Sequence, residues 1–268
     1  MIIRLLLGAI VAAAALAAVE AESTRAASDA MVLIPAGSYE PFLKETKLTP
    51  SSVATSRRTV DVAAFWMDRR AVTNAEFRTF VAQHQEWRRS RVKPIFADQR
   101  YLASWRSDFE FGAPADADRP VTEVSWFAAA AYCQLRGADL PTIDQWEYAL
   151  EDQGRDRQGV RERSLAWYAR PGTTKPEPVD LATANGYGVA GMVGTIWEWT
   201  LDFNSVPGGE EVRDPGARNS TLFCGGGSIG ALDPTDYATY LRFAVRASLR
   251  AAFTTGTLGF RCASGAGA

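Results

Sequence analysis

Beyond residue 30, apolar positions fall into short runs and brief alternations, separated by polar and glycine-rich stretches. Met31-Val32-Leu33-Ile34 is an apolar run halted by Pro35-Ala36-Gly37, and it predicts a buried strand. Val60-Asp61-Val62 alternates and Phe65-Trp66-Met67-Asp68 is mostly apolar, so both predict strands. Between them, residues 41–58 show no period and predict a loop. Thr73-Asn74-Ala75-Glu76 is a capping box, followed by Phe77, Phe80 and Val81 at helical spacing. A helix therefore runs to about Ala82, with His84 just beyond, in a solvated or C-terminal helix position. Residues 86–118 have no sustained period. They carry Trp87, Phe96, Tyr101, Trp105, Phe109 and Phe111, which need burial, so a long ordered insertion is expected. Ser125 caps an alanine-rich helix from Trp126 that stops near Gly137. Thr142 and Gln145 form a second capping box, opening a helix to about Leu150. Residues 151–164 are rich in both arginine and acids and read as a solvated surface segment. Residues 203–220 read as loop, and Gly225-Gly226-Gly227-Ser228 as a tight turn.

The stretch Gly186–Asp202 has a pattern of its own. Gly186, Gly188, Gly191 and Gly194 suit turns, and they lead into Trp197-Glu198-Trp199. Strand spacing puts both indoles on one face and the carboxylate on the other. A carboxylate held opposite two tryptophans needs either an arginine or a metal ion.

The chain has 268 residues, 47% of them hydrophobic, enough for one large core or two small ones. Neither a repeat nor a linker divides residues 31–263, so one domain is expected there. The net charge of −2 supplies no basic field for nucleic acid and no polybasic run for a membrane surface. Arg4, the apolar run Leu5–Ala18 and Val19-Glu20-Ala21 have the layout of a secretory signal over residues 1–21. Residues 22–30 follow as a small, polar leader. A membrane anchor is the rival reading, but the run is short for the roughly 20 residues of a span and is rich in alanine. Periplasmic or secreted localisation follows, with no span after signal removal.

The chemistry-bearing residues are few. His84 is the single histidine, which argues against a His-rich metal site or a Ser–His triad. Three cysteines, Cys133, Cys224 and Cys262, fit one bridge and one leftover thiol in an oxidising compartment. Arg242, Arg246 and Arg250 recur every four residues, and Arg261 follows. They either line a cleft for an anionic or peptide ligand or pair with Glu198, Asp202 or Glu147. Pairing is the stronger reading, because buried acids need partners.

Seven ordered blocks carry a resemblance: MVLIPAG, VTNAEFRTFV, PVTEVSWFAAAAYC, GADLPTIDQWEYA, NGYGVAGMVGTIWEWT, GGGS and LGFRCA. Their order and spacing resemble the formylglycine-generating enzyme family, the sulfatase-modifying factors, over about residues 31–263. The resemblance implies a single α+β domain, an irregular variant of the C-type-lectin fold with short strands, few helices and much loop. It also implies a bridge between Cys133 and Cys262, leaving Cys224 as a free thiol. The family's activity is aerobic oxidation of a sulfatase cysteine to formylglycine, at a copper(I) ion held by two cysteines. Soft thiolates suit that ion. In the family those cysteines lie between the GGS turn and the last arginine-rich segment. Here that interval reads IGALDPTDYATYLRFAVRASLR and has no cysteine. Counted back from Arg250, the two positions fall near Tyr237 and Arg242; counted forward from Ser228, nearer Ala231 and Asp236. Copper is not expected at the usual site.

Trp197 and Ser228 match positions lining the family's oxygen and substrate-sulfur pocket, though core and turn roles fit them equally well. Tyr237, Arg242 and Arg246 would stand at the pocket's mouth. A family calcium site maps to Gly191, Gly194, Ile196 and Glu198. Gly191 lacks the side-chain oxygen, so that site is expected to be weakened. A second calcium site has no counterpart in the shortened residues 168–184. Length and the lone histidine exclude the ergothioneine-type branch. The expected function is a periplasmic maturation or accessory factor acting on another exported protein or peptide. Relatives in siderophore (pyoverdine) maturation and beside copper nitrite reductases are the models for this, the nitrite reductase group more closely. The alternatives are a non-catalytic binding or scaffolding module, or an active oxidase using different ligands. The signal pattern makes a first prediction: N-terminal sequencing of the exported protein should begin near Glu22, and a cytoplasmic product retaining Met1 would refute it.

Overall fold

The computed structural model describes residues 30–42, 45–49, 52–56, 59–170, 175–204 and 236–267. The expected signal at 1–21, nearly all of the leader at 22–30, the glycine-rich turn with Ser228, and Cys224 lie outside the described residues. Nine short strands are described: β1 (Met31–Ile34), β2 (Gly37–Tyr39), β3 (Glu45–Thr49), β4 (Ser52–Ser56), β5 (Val60–Val62), β6 (Phe65–Asp68), β7 (Trp197–Glu198), β8 (Leu258–Gly259) and β9 (Ala263–Gly265). Five α-helices accompany them: α1 (Asn74–Gln83), α2 (Trp126–Leu135), α3 (Ile143–Glu151), α4 (Arg157–Tyr168) and α5 (Tyr237–Ser248).

Both capping boxes form as expected. Thr73 accepts from the Glu76 amide while Glu76 reaches back to Thr73, and Thr142 and Gln145 do the same for α3. Ser125 caps α2 through the Ala128 amide, and His84 is the C-cap of α1. The largest sheet is antiparallel, in the order β1-β6-β9, so an early strand and a late one flank β6. One core cluster gathers Phe77, Trp105, Tyr132, Trp199 and Phe260 around α1 and α2. A second packs Ile34, Phe65, Met67, Trp146 and Tyr148 between the sheet and α3.

Three expectations need correction. Residues 41–58 contain a hairpin, with β3 paired to β4 from Glu45↔Ser56 to Thr49↔Ser52. The sequence there does alternate Thr46, Leu48, Val53 and Thr55 with polar neighbours, but with too few large apolar residues to register as a pattern. The segment at 151–164 is solvated as expected, yet most of it belongs to helix α4, of which only Ser164 is buried. Glu, Gln and Arg are good helix formers, and their charge masks the period. In the insertion at 86–118, Tyr101 and Trp105 are buried, but Phe96 and Phe109 are 38% and 43% exposed. Trp105 anchors that insertion by donating from its indole to Asn74 Oδ1 at 3.0 Å.

At the end of β6, Asp68 is buried and binds Arg136 twice, at 3.0 and 3.1 Å, and accepts from the Cys262 amide at 2.9 Å. Burial pushes its carboxyl pKa up despite the opposing charge of Arg136. The sulfurs of Cys133 and Cys262 stand 2.06 Å apart, joining α2 to the segment before β9 across 129 residues. Closing a loop of that length reduces the entropy of the unfolded chain by the equivalent of about 5 kcal/mol. Non-reducing peptide mapping of the purified protein should recover a Cys133–Cys262 fragment. The Cys133→Ala/Cys262→Ala double variant should unfold at markedly lower urea; two free thiols in the native protein, or an unchanged midpoint, would contradict this.

Candidate functional site

The short parallel pair of β7 and β8, with Trp197 opposite Leu258 and Glu198 opposite Gly259, sets the centre of the site. A Cβ on Gly259 would collide with the Val121 carbonyl and Ile196, so this approach requires glycine. Gly191 and Gly194 have φ of 67° and 89° and turn the chain into β7, as the sequence pattern implies. Trp199 is fully buried in the larger core, and Trp197 packs against the same core from a partly buried position.

Glu198 lies on the opposite side and is fully enclosed with Arg261. Arg261 donates from Nε and Nη2 to its two oxygens, both at 2.7 Å, and Trp146 donates to Oε2 at 2.8 Å. Of the two partners open to this carboxylate, the structure uses the arginine. The donor set does not suit calcium. The Glu198 oxygens face a guanidinium, Gly191 offers no side-chain oxygen, and the neighbouring Ala190 carbonyl accepts from Arg261 at 2.9 Å. Among the described residues, no group of three His, Cys, Asp or Glu side chains could hold a metal ion.

Arg242 and Arg246 follow the pairing reading. Arg242 grips Glu147 through Nε and Nη2 at 2.9 and 2.7 Å, and Arg246 reaches the same carboxylate at 3.1 Å. All three are buried. Both guanidinium groups also lie over the Trp146 ring, at 5.6 and 5.3 Å from its centroid. Burial alone would raise the Glu147 pKa, but Arg242 and Arg246 outweigh it and hold the carboxyl below its ordinary value. Burial depresses Arg246, whereas Arg242 gains enough from Glu147 to rise.

The structure brings Trp197, Arg242 and Arg246 to one narrow cavity of about 20 Å³. Tyr237 is 56% exposed at the start of α5 and stacks on Tyr240. Outward of Trp197 lies a larger cavity of about 220 Å³, walled by Trp167 and Tyr168. The Trp167 and Tyr168 rings stand 4.6 and 5.2 Å from the Trp197 ring. Those two aromatics escaped the sequence reading, since they end a segment dominated by charge. The only signal was the pair Trp167-Tyr168 itself.

The sequence matches the sulfatase-modifying factor enzyme 1-like domain over residues 17–266. It is 30% identical to the formylglycine-generating enzyme of Bos taurus, over 87% of this chain and 74% of that protein. It is 28% identical to the inactive C-alpha-formylglycine-generating enzyme 2 of Mus musculus, over 78% of each. Among solved structures, Treponema denticola variable protein 1 superposes with a TM-score of 0.50 at 17% identity, covering 87% of this chain and 94% of that one. The chain belongs to the sulfatase-modifying factor family, and its short strands and few helices form that family's single α+β fold.

The buried triad generates a prediction. Glu147→Gln leaves two guanidinium groups without their counter-charge and should cost about 3–5 kcal/mol in urea unfolding. The lowered pKa adds stability that is complete above the ordinary 4.5 and fades as pH falls through the folded value. Acidification should therefore narrow the gap between wild type and variant; a gap that stays constant with pH would contradict the assignment.

Proposed function

We propose that this chain is an exported family member that acts on another exported protein or peptide without a two-thiolate copper(I) site. One observation carries the reading. Two of the three cysteines, Cys133 and Cys262, are bonded to each other, which leaves Cys224 as the one cysteine outside that bond. A linear copper(I) site needs two soft ligands, so the residues of a single chain do not fit that ion. What the described residues supply is a recognition surface. Trp167, Tyr168 and Trp197 form an aromatic wall held rigidly from behind by the Glu198–Arg261 and Glu147–Arg242–Arg246 ion pairs. Such a wall excludes water and orients an apolar side chain. A copper nitrite reductase is one candidate among exported partners. The missing thiol pair equally favours a second reading, a binding or scaffolding module without turnover. The relative named as inactive supports the view that the fold persists without the oxidase activity.

Incubating the exported protein with copper, oxygen and a Cys-x-Pro-x-Arg peptide should give no aldehyde above background. Stoichiometric copper(I) binding that disappears in Cys224→Ser, accompanied by formylglycine, would overturn the proposal. Pull-down from periplasm then separates the two readings. A captured partner of altered mass indicates maturation, and an unaltered one indicates a binding module.

A further inference from the structure

Helix α4 borders more than the aromatic wall. A cleft of about 460 Å³ runs between α4 and the segment at 181–195. Arg170, Glu177, Gly194 and Thr195 line both this cleft and the aromatic cavity of about 220 Å³, so the two are one continuous groove. Its α4 side follows a helix of 12 residues, about 18 Å long, which matches some five residues of extended chain. Leu150, Val160, Met192 and Val193 give the cleft an apolar lining, while Trp167, Tyr168, Trp197 and Leu241 line the inner end.

The charges divide unevenly along the rim. Arg155 is bound to buried Asp152 at 3.0 Å. Arg163 pairs with Asp156 at 2.8 Å, with both side chains about half exposed, an arrangement of little net strength that an incoming carboxylate can replace. Arg170, at the junction of the two cavities, has no side-chain partner among the described residues. Glu177 shares the junction. Lys175, beside it, binds Asp116 at 3.0 Å, and Arg119 binds the same carboxylate at 2.9 Å, so Arg119, Arg170 and Lys175 stand against only Asp116 and Glu177. The junction thus keeps one uncompensated positive charge beside an aromatic cavity, on a protein whose overall charge is −2.

We propose that this groove seats an extended segment of a partner polypeptide, with an acidic side chain on Arg170 and an adjacent bulky apolar side chain in the aromatic cavity. The proposal rests on the polypeptide-directed reading above and names the chemistry of the segment recognised. Backbone and apolar contacts along the groove supply affinity, and Arg170 selects the charge.

The test uses fluorescein-labelled Ala-Ser-Glu-Phe-Ser-Ala, with Arg in place of Glu or Ala in place of Phe as comparison probes, read by anisotropy on the full exported chain. The Glu-Phe peptide should bind roughly tenfold more tightly than the Arg-Phe peptide, and the preference should weaken with salt. Arg170→Glu should reverse that order. Arg157→Glu makes the same charge change outside the groove and should not. Replacing Phe by Ala should weaken binding to both proteins. Equal affinities for the Glu and Arg peptides, or an Arg170→Glu effect no larger than that of Arg157→Glu, would overturn the proposal. Capture of an exported partner while none of the peptides binds would refute the groove and leave the functional reading intact. Peptide binding as expected, with no partner captured, would do the reverse.

Discussion

The site depends on one buried ion pair, Glu198 with Arg261. Neither side chain reaches water, so each charge is tolerable only because the other is there. The guanidinium does more than neutralise: it also binds the Ala190 carbonyl at 2.9 Å and the Asp68 carbonyl at 3.3 Å. The carboxylate in turn fixes the Trp146 indole at 2.8 Å. Strands β6 and β7, helix α3 and the turn before β7 are thereby referred to one point. The second ion cluster, Glu147 with Arg242 and Arg246, stands on the Trp146 ring and extends that frame to α5. Trp197 inherits its position from both.

Interactions that close within a few residues were legible in the sequence. Thr73 with Glu76 and Thr142 with Gln145 each need only one turn of helix, and both formed as read. The need of Glu198 for an arginine or a metal was legible as well, because a carboxylate opposite two tryptophans has few options. Its actual partner lies 63 residues away, and four arginines shared the pattern, so only the fold could choose Arg261. Helix α4 was hidden for a different reason. Its helix formers are charged and its apolar residues cluster at one end, so solvation and helicity gave the same pattern. With α4 unread, the aromatic wall could not be assembled from Trp197 alone.

Trp197 and the arginines, read from sequence as parts of one pocket, turn out to differ in depth. Trp197 meets the outer cavity, while Arg242 and Arg246 are sealed behind it against Glu147. Buried, paired arginines add rigidity behind the surface in front of them. The family's fold is retained here, while the chemistry on offer at its face is aromatic and cationic.

The placement of β9 bears on how the domain comes into being. Its neighbour Cys262 reaches back 129 residues to Cys133 and donates its amide to Asp68 across 194 residues. Residue Arg261 completes the frame from the same late segment. Contacts this distant in sequence cannot nucleate early, because each must close a long loop before it gains anything. The central sheet and the buried carboxylate of Glu198 therefore wait for the last strand of the domain. During synthesis the chain would pass through a long interval in which Glu198 and Asp68 lack their partners, and the fold would then be completed in one late, cooperative step.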